Sequence, residues 1–308
     1  MVSAAGGQLL SLRPAAAPMG SAAFPEAGTV SFDFAGVVEG LPYPSLSSAQ
    51  QGRFKADFLG EVASIRQWAR QQQWPPLPVR ELQVLVSDEY KIPRSLVPAS
   101  IGKLGRMEFP AWKAVAGEAA IMHELVHVHF PNGNRLLAEG LAVYLQAKIG
   151  GNRAFPNFGQ PLRQVVRELV GGMVAQFAPG KPETLEAVRI SDLDRIATPS
   201  PLRLRVGKIL YDSTPGGQAH IYPIAGSFIE LLIESHGLER FRALYARTPL
   251  VPFARDAGSA ERWEETYGVS LPELERQWRS TIADFSDASA VTAAAQPVRR
   301  RLPPDEMS

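Results

Sequence analysis

The chain contains no cysteine. That absence excludes disulfides, thiolate-bound metals, iron–sulfur clusters and a cysteine nucleophile together, so any metal held here must use His, Asp or Glu. The chain also lacks an excess of either charge, with 32 Lys and Arg against 31 Asp and Glu. No global field favours nucleic acid or an anionic surface, and the basic run Arg299 to Arg301 is too short to change that. No hydrophobic run approaches the roughly 18 to 20 residues of a membrane span. Histidine is scarce too, at five in 308 residues. What remains, 45% hydrophobic and 20% charged, is an ordinary globular composition for one large domain or two small ones.

Residues 1–29 are rich in Ala, Gly, Ser and Pro and cannot bury enough surface to offset ordering, so a flexible leader is expected. The leader shows neither the basic start nor the continuous apolar stretch of a secretory signal. Location is left open, with a periplasmic or secreted protein that has lost its signal slightly favoured over a cytoplasmic one. Residues 286–308 have the same loose composition and are expected to form a disordered tail.

Between these ends, residues 30–285 read as one α+β domain with a sheet-containing part over about 30–130 and a helical part over about 131–285. TVSFDFAGVV alternates as a strand, ELQVLVSDEY is a second strand candidate and Ser100 to Glu108 a third. Phe54, Phe58, Val62, Ile65 and Trp68 recur at helical spacing before Pro75 and Pro76. Helical patterns then dominate, over 117–130, 135–149, 160–177, 222–236, 238–247, 258–266 and 271–284. Trp263, Trp278, Phe228 and Phe241 fall at core positions of these runs, and His236, just before Gly237, reads as a helix C-terminal cap.

Three of the five histidines fall in IMHELVHVHF, Ile121 to Phe130. Residues four apart share one helix face, so His123 and His127 project side by side and can chelate one metal ion. Glu124 lies one step around, where it can face the ion's open position. This is the HExxH pattern, in which two His bind Zn²⁺ and the Glu takes a proton from the water the ion activates. The alternative is a buried helix with both histidines hydrogen-bonded in the core and Glu124 exposed. His129 lies off the metal-facing side and reads as a supporting or surface residue.

A tetrahedral catalytic zinc needs a third protein ligand. After the motif, Pro131 to Asn134 make a turn, and Asn134 can cap a helix beginning at Arg135. That helix folds back on the first, which lets Glu139, twelve residues after His127, reach the same ion. Gly140 follows directly. A glycine inside a helix costs about 1 kcal/mol relative to alanine, so close approach of another backbone or of the metal site is expected there.

HELVH followed by AEGLAVYL resembles the gluzincin metallopeptidases, the group of thermolysin and the aminopeptidase N-like enzymes, in which such an Glu-Gly segment carries the third zinc ligand. The interval to Glu139 is shorter than in those two enzymes and closer to compact peptidase-MA-like domains. Thermolysin's acidic residue four positions past the ligand is replaced by Val143. HIYPIAGSFIELLIESHGLERFRALYA and RWEETYGVSLPELERQWRSTI resemble the group's later helices, so the resemblance covers roughly Val30 to Phe285. GRMEF also resembles, distantly, the Gly-x-Met-Glu-Asn segment that holds the substrate amine in aminopeptidases; Phe109 replaces the Asn, and Glu108 is not assigned to the site.

The resemblance implies a zincin-like fold, one Zn²⁺ and hydrolysis of peptide bonds in a peptide or protein substrate; a monomer is expected, and the balanced charge gives no nucleic-acid partner. By the resemblance His123, His127 and Glu139 hold the ion and Glu124 is the general base. Tyr222 matches the position of an oxyanion-stabilising Tyr or His, with His220 a rival for that role. Two other readings stay open: a zinc-binding partner module without peptidase activity, and a zinc hydrolase of one small molecule or modified peptide.

Overall fold

Alternation sets the sheet. Over residues 30–34 Val30, Phe32 and Phe34 are buried while Asp33 is exposed, and further along Leu82, Val84 and Val86 repeat the pattern. The computed structural model describes residues 22–24, 28–38, 41–96, 104–151, 154–177, 188–206, 209–212, 221–251 and 253–294. Its first part contains β1 (Ala22–Phe24), β2 (Gly28–Asp33), the hairpin β3 (Ala35–Val38) and β4 (Leu41–Pro44), and helix α1 (Ser48–Gln71). Then follow β5 (Glu81–Ser87), β6 (Arg94–Leu96) and β7 (Leu104–Pro110). Among the described residues the main sheet runs β1-β2-β5-β7-β6. Its central pairs β2/β5 and β5/β7 are parallel, while both outer strands, β1 and β6, pair antiparallel.

Helix α1 starts on a capping box between Ser47 and Gln50 and lies on one face of this sheet. Phe54 and Phe58 meet Phe32, Phe34 and Phe109 edge-on, with ring centroids 5.4 to 6.1 Å apart. Each of these rings contributes about 1.5–3 kcal/mol by leaving water, and Phe58→Ala, which also opens a cavity, should cost about 3–5 kcal/mol.

Helices follow: α2 (Ala111–Ala116), α3 (Ile121–His129), α4 (Arg135–Ile149), α5 (Leu162–Phe177) and α6 (Ile190–Leu193). After a hairpin of β8 (Arg203–Val206) and β9 (Ile209–Asp212) come α7 (Ile221–His236), α8 (Leu238–Tyr245), α9 (Glu261–Tyr267) and α10 (Leu271–Ala294). Helix α3 packs against α1, β6 and α4, and α4 packs in turn on α7. One continuous hydrophobic core, from Val30 to Ile282, joins the sheet-bearing part to the helical part. The architecture is mixed α+β, with a small mixed sheet and a larger helical portion. No helix among the described residues is long and apolar enough to cross a membrane.

Several expectations need correction. The leader expected over 1–29 contains β1, which adds backbone pairs to the edge of β2 from Ala22 to Phe24. The tail expected from 286 begins instead with the end of α10, because the alanine-rich stretch to Ala294 favours helix. The helix expected over 117–130 is shorter: Gly117 closes the preceding α2 in the left-handed conformation, at φ 71°, and α3 runs only from Ile121 to His129. Strands do not all precede helices, since β8 and β9 interrupt the helical part. The beginning of the expected third strand, 100–103, lies outside the described residues.

Candidate metal centre

The turn between α3 and α4 decides where Glu139 goes, and its asparagines fix it. Asn134 Oδ1 accepts from Leu137 N at 3.0 Å and caps α4, while its amide reaches Asp194 O and Ala257 O, each at 2.8 Å. Asn132 Oδ1 accepts from Asn134 N and from Thr248 Oγ1, and Asn132 Nδ2 donates to Tyr245 O. Asp194 is held in its turn by Arg262 and by Trp263 Nε1. These buried bonds tie the turn to α6, α8 and α9. From α4, Gln146 Oε1 accepts the backbone N–H of His123 at 3.2 Å.

Close packing sets the roll of α4. A Cβ on Gly140 would lie 2.9 Å from Ala225 O and 2.3 Å from Ile229 Cγ1, so the backbone of α7 occupies the space a side chain would need. Gly226 does the reverse, leaving a notch for Val143. The glycine beside Glu139 therefore serves the α4–α7 contact. Val143, where an acid was absent from the resemblance, is a helix-packing residue.

With the helices so placed, His123 Nε2 lies 3.1 Å from His127 Nε2, and Glu139 Oε2 lies 3.0 and 3.3 Å from the two nitrogens. Three ligands about 2.0–2.1 Å from one zinc at tetrahedral angles would be about 3.3 Å apart. The three donor atoms thus form a triangle of the size such an ion requires. Glu139 Oε2 is buried without a hydrogen bond of good geometry, although it stands at the corner of this triangle, so it faces the two imidazole nitrogens as a donor left open for an ion. Among the described residues this is the one group of three His, Cys, Asp or Glu side chains able to hold an ion.

Electrostatics agree with that geometry. Burial opposes ionisation of Glu139, but Arg135, His127 and His123 outweigh it and hold the carboxyl well below its usual range. Burial pulls the His123 imidazole down, yet Glu139 and Glu124 leave it above its ordinary value in the metal-free protein. A cation entering the site would take over the role of that proton.

The triad opens onto a cleft of about 650 Å³ that Glu124 and Tyr222 also line. Glu124 is 5% exposed, which removes the exposed position assumed for it in the core-histidine alternative. Tyr222, in the first turn of α7, packs its ring edge-on to His123 at 5.9 Å between centroids, with Phe155 on its other side at 5.6 Å. Edge strand β6 and the preceding Ile92 and Pro93 line the cleft, as do Leu250, Val251 and residues 253–255.

The structure brings together His123, Glu124, His127, Glu139 and Tyr222. His220 lies outside the described residues. His129 points elsewhere: its Nδ1 bonds Leu77 O at 3.1 Å, and burial lowers its pKa. His236 bonds Gln277 Oε1 at 3.0 Å and packs on Tyr267. Glu108 is buried against Arg94 and Arg106 and does not line the cleft. Arg135 was missed as a site residue, although its place four residues before Glu139 on one helix was a readable signal. A search of known protein families finds no match to this chain, and a search of curated proteins finds none.

Proposed function

We propose that this chain is a zinc-dependent peptidase with a zincin-like catalytic domain of the gluzincin type. The observation that carries the reading is the triangle of His123 Nε2, His127 Nε2 and Glu139 Oε2, with edges of 3.0 to 3.3 Å, on the floor of a cleft that Glu124 lines. A zinc ion held there supplies Lewis acidity, bringing a water's pKa to about 7 and polarising a carbonyl.

The chain's own residues do the rest. Neutral His123 and His127 and ionised Glu139 provide two nitrogens and one oxygen, which leaves room for water. Glu124 takes the water's proton as the carbonyl is attacked and passes it to the departing amine. Tyr222, across from His123, donates its hydroxyl to the carbonyl oxygen as negative charge develops.

Edge strand β6 favours a peptide over a compact small molecule. Among the described residues β6 pairs only with β7, so its other edge offers backbone groups to an extended chain lying in the cleft. The test is cleavage of a mixed peptide library. Hydrolysis lost on chelation and restored by one equivalent of zinc is expected. A folded, zinc-loaded protein that cleaves no member of the library would contradict the peptidase reading and leave the metal site standing.

A further inference from the structure

Arg135 opens α4, and its backbone N–H donates to Ile196 O at 2.8 Å, which anchors the residue from the α6 side. Its guanidinium reaches one turn along the helix to Glu139 Oε1 at 2.6 Å. Oε2 of the same carboxylate is the oxygen turned to His123 and His127. The two oxygens are thus divided, one to the arginine and one to the imidazoles. The guanidinium also hydrogen-bonds the side chain of Tyr222, which stands on α7. With only 21% of its side chain exposed and a place in the cleft lining, Arg135 joins the third ligand to the opposite wall.

This division has a chemical consequence. A carboxylate free to rotate could offer both oxygens to an ion and fill the position a water needs, whereas a carboxylate pinned at one oxygen offers a single donor. A planar guanidinium presents several donors in a fixed fork and can serve the carboxylate and the phenol together. An ammonium is a point charge on a flexible stem and cannot hold both in fixed geometry.

We propose that Arg135 is the positioning residue of the metal centre: it holds Glu139 Oε1 so that Oε2 alone is presented to the ion, and it ties the Tyr222 hydroxyl to the same anchor. The proposal rests on the zinc-site reading above. Partners that orient a metal ligand typically set metal affinity by about 10–100-fold.

The experiment compares wild type with Arg135→Met, which keeps most of the volume without charge, and with Arg135→Lys. Co²⁺ titration followed by visible absorption and Zn²⁺ competition against a chromogenic chelator give readouts independent of turnover. Circular dichroism of the metal-free proteins checks folding. Wild type should bind one Co²⁺ with the intense visible bands of a tetrahedral site. The Met variant should bind about 10–100-fold more weakly with shifted bands, and Lys should recover part of the affinity. A folded Met variant with wild-type affinity and bands overturns the proposal, as does a Lys variant no better than Met. Should Met fail to fold, Arg135→Gln takes its place under the same criteria. Wild type that binds neither metal overturns the zinc-site reading itself, a result distinct from the others.

Discussion

Val143 of α4 sits in the notch left by Gly226 of α7: a Cβ on that glycine would fall 2.2 Å from Val143 Cγ1. Gly140, one turn back, meets Ala225 and Ile229 in the same way, so the two helices approach through a reciprocal pair of glycines. This contact fixes the face on which α4 presents Glu139.

Gly140→Ala is therefore expected to destabilise the fold despite alanine's better helix propensity. The propensity gain is about 1 kcal/mol. Overpacking against a backbone oxygen costs about 1–3 kcal/mol, and the helices must part to relieve it. Urea unfolding of the metal-free protein should show a lower midpoint, and zinc affinity should fall because Glu139 moves with α4. A midpoint at or above wild type would show that the gap is softer than the contact implies.

Asn134→Ala should cost more than an ordinary cap. It removes the acceptor for Leu137 N, worth about 1 kcal/mol, and leaves Asp194 O and Ala257 O without their amide donor. A loss of about 2–4 kcal/mol in chemical denaturation is expected. Asn134→Asp should do no better than alanine: it keeps an acceptor for the cap but turns a second carboxylate oxygen onto Asp194 O, Asp194 Oδ1 and Ala257 O in a fully buried site.

Glu108 is expected to matter for substrate binding although it does not line the cleft. Its buried carboxylate holds Arg94 of β6 to β7, together with Arg106. Glu108→Gln should loosen the edge strand that the substrate is proposed to pair with. KM for peptides should rise several-fold with little change in kcat, whereas an effect confined to kcat would argue that β6 does not hold substrate.

His129 gives a pH dependence of stability. Burial lowers its pKa in the folded state from an ordinary value of 6.5, and the neutral ring bonds Leu77 O. Its contribution is fully present above the unfolded value and is lost as pH falls toward the folded one, since the unfolded chain takes up the proton first. Over that window stability should fall by up to about 1.4 kcal/mol per pH unit. The fall should be shallower in His129→Gln, measured by denaturation between pH 7 and pH 5 on metal-free protein, and equal slopes would assign the acid sensitivity elsewhere.

Much of the candidate site was legible in the sequence because helical geometry is local. Spacing alone put His123 and His127 on one face, and the turn with its Asn134 cap indicated how Glu139 could return to them. The α1 layer was equally readable from its apolar spacing. Strand β6 was not, since three residues with no alternating pattern become a strand only by pairing with β7. The direction of Tyr222 was unreadable for a similar reason, since it depends on how closely α4 and α7 pack, whereas the close backbone approach expected at Gly140 is the one made by Ala225 of α7. Arg135 reads in the sequence as a helix start four residues before Glu139, and only the packing of α7 brings Tyr222 beside it as well.

The division of labour between ligands and base is the central claim, and zinc content measured beside peptide hydrolysis in Glu124→Gln tests it most directly. The account predicts one zinc per chain, as in wild type, with hydrolysis reduced at least about 100-fold. Full hydrolysis by Glu124→Gln with zinc retained, or stoichiometric zinc in a folded His123→Ala protein, would contradict it.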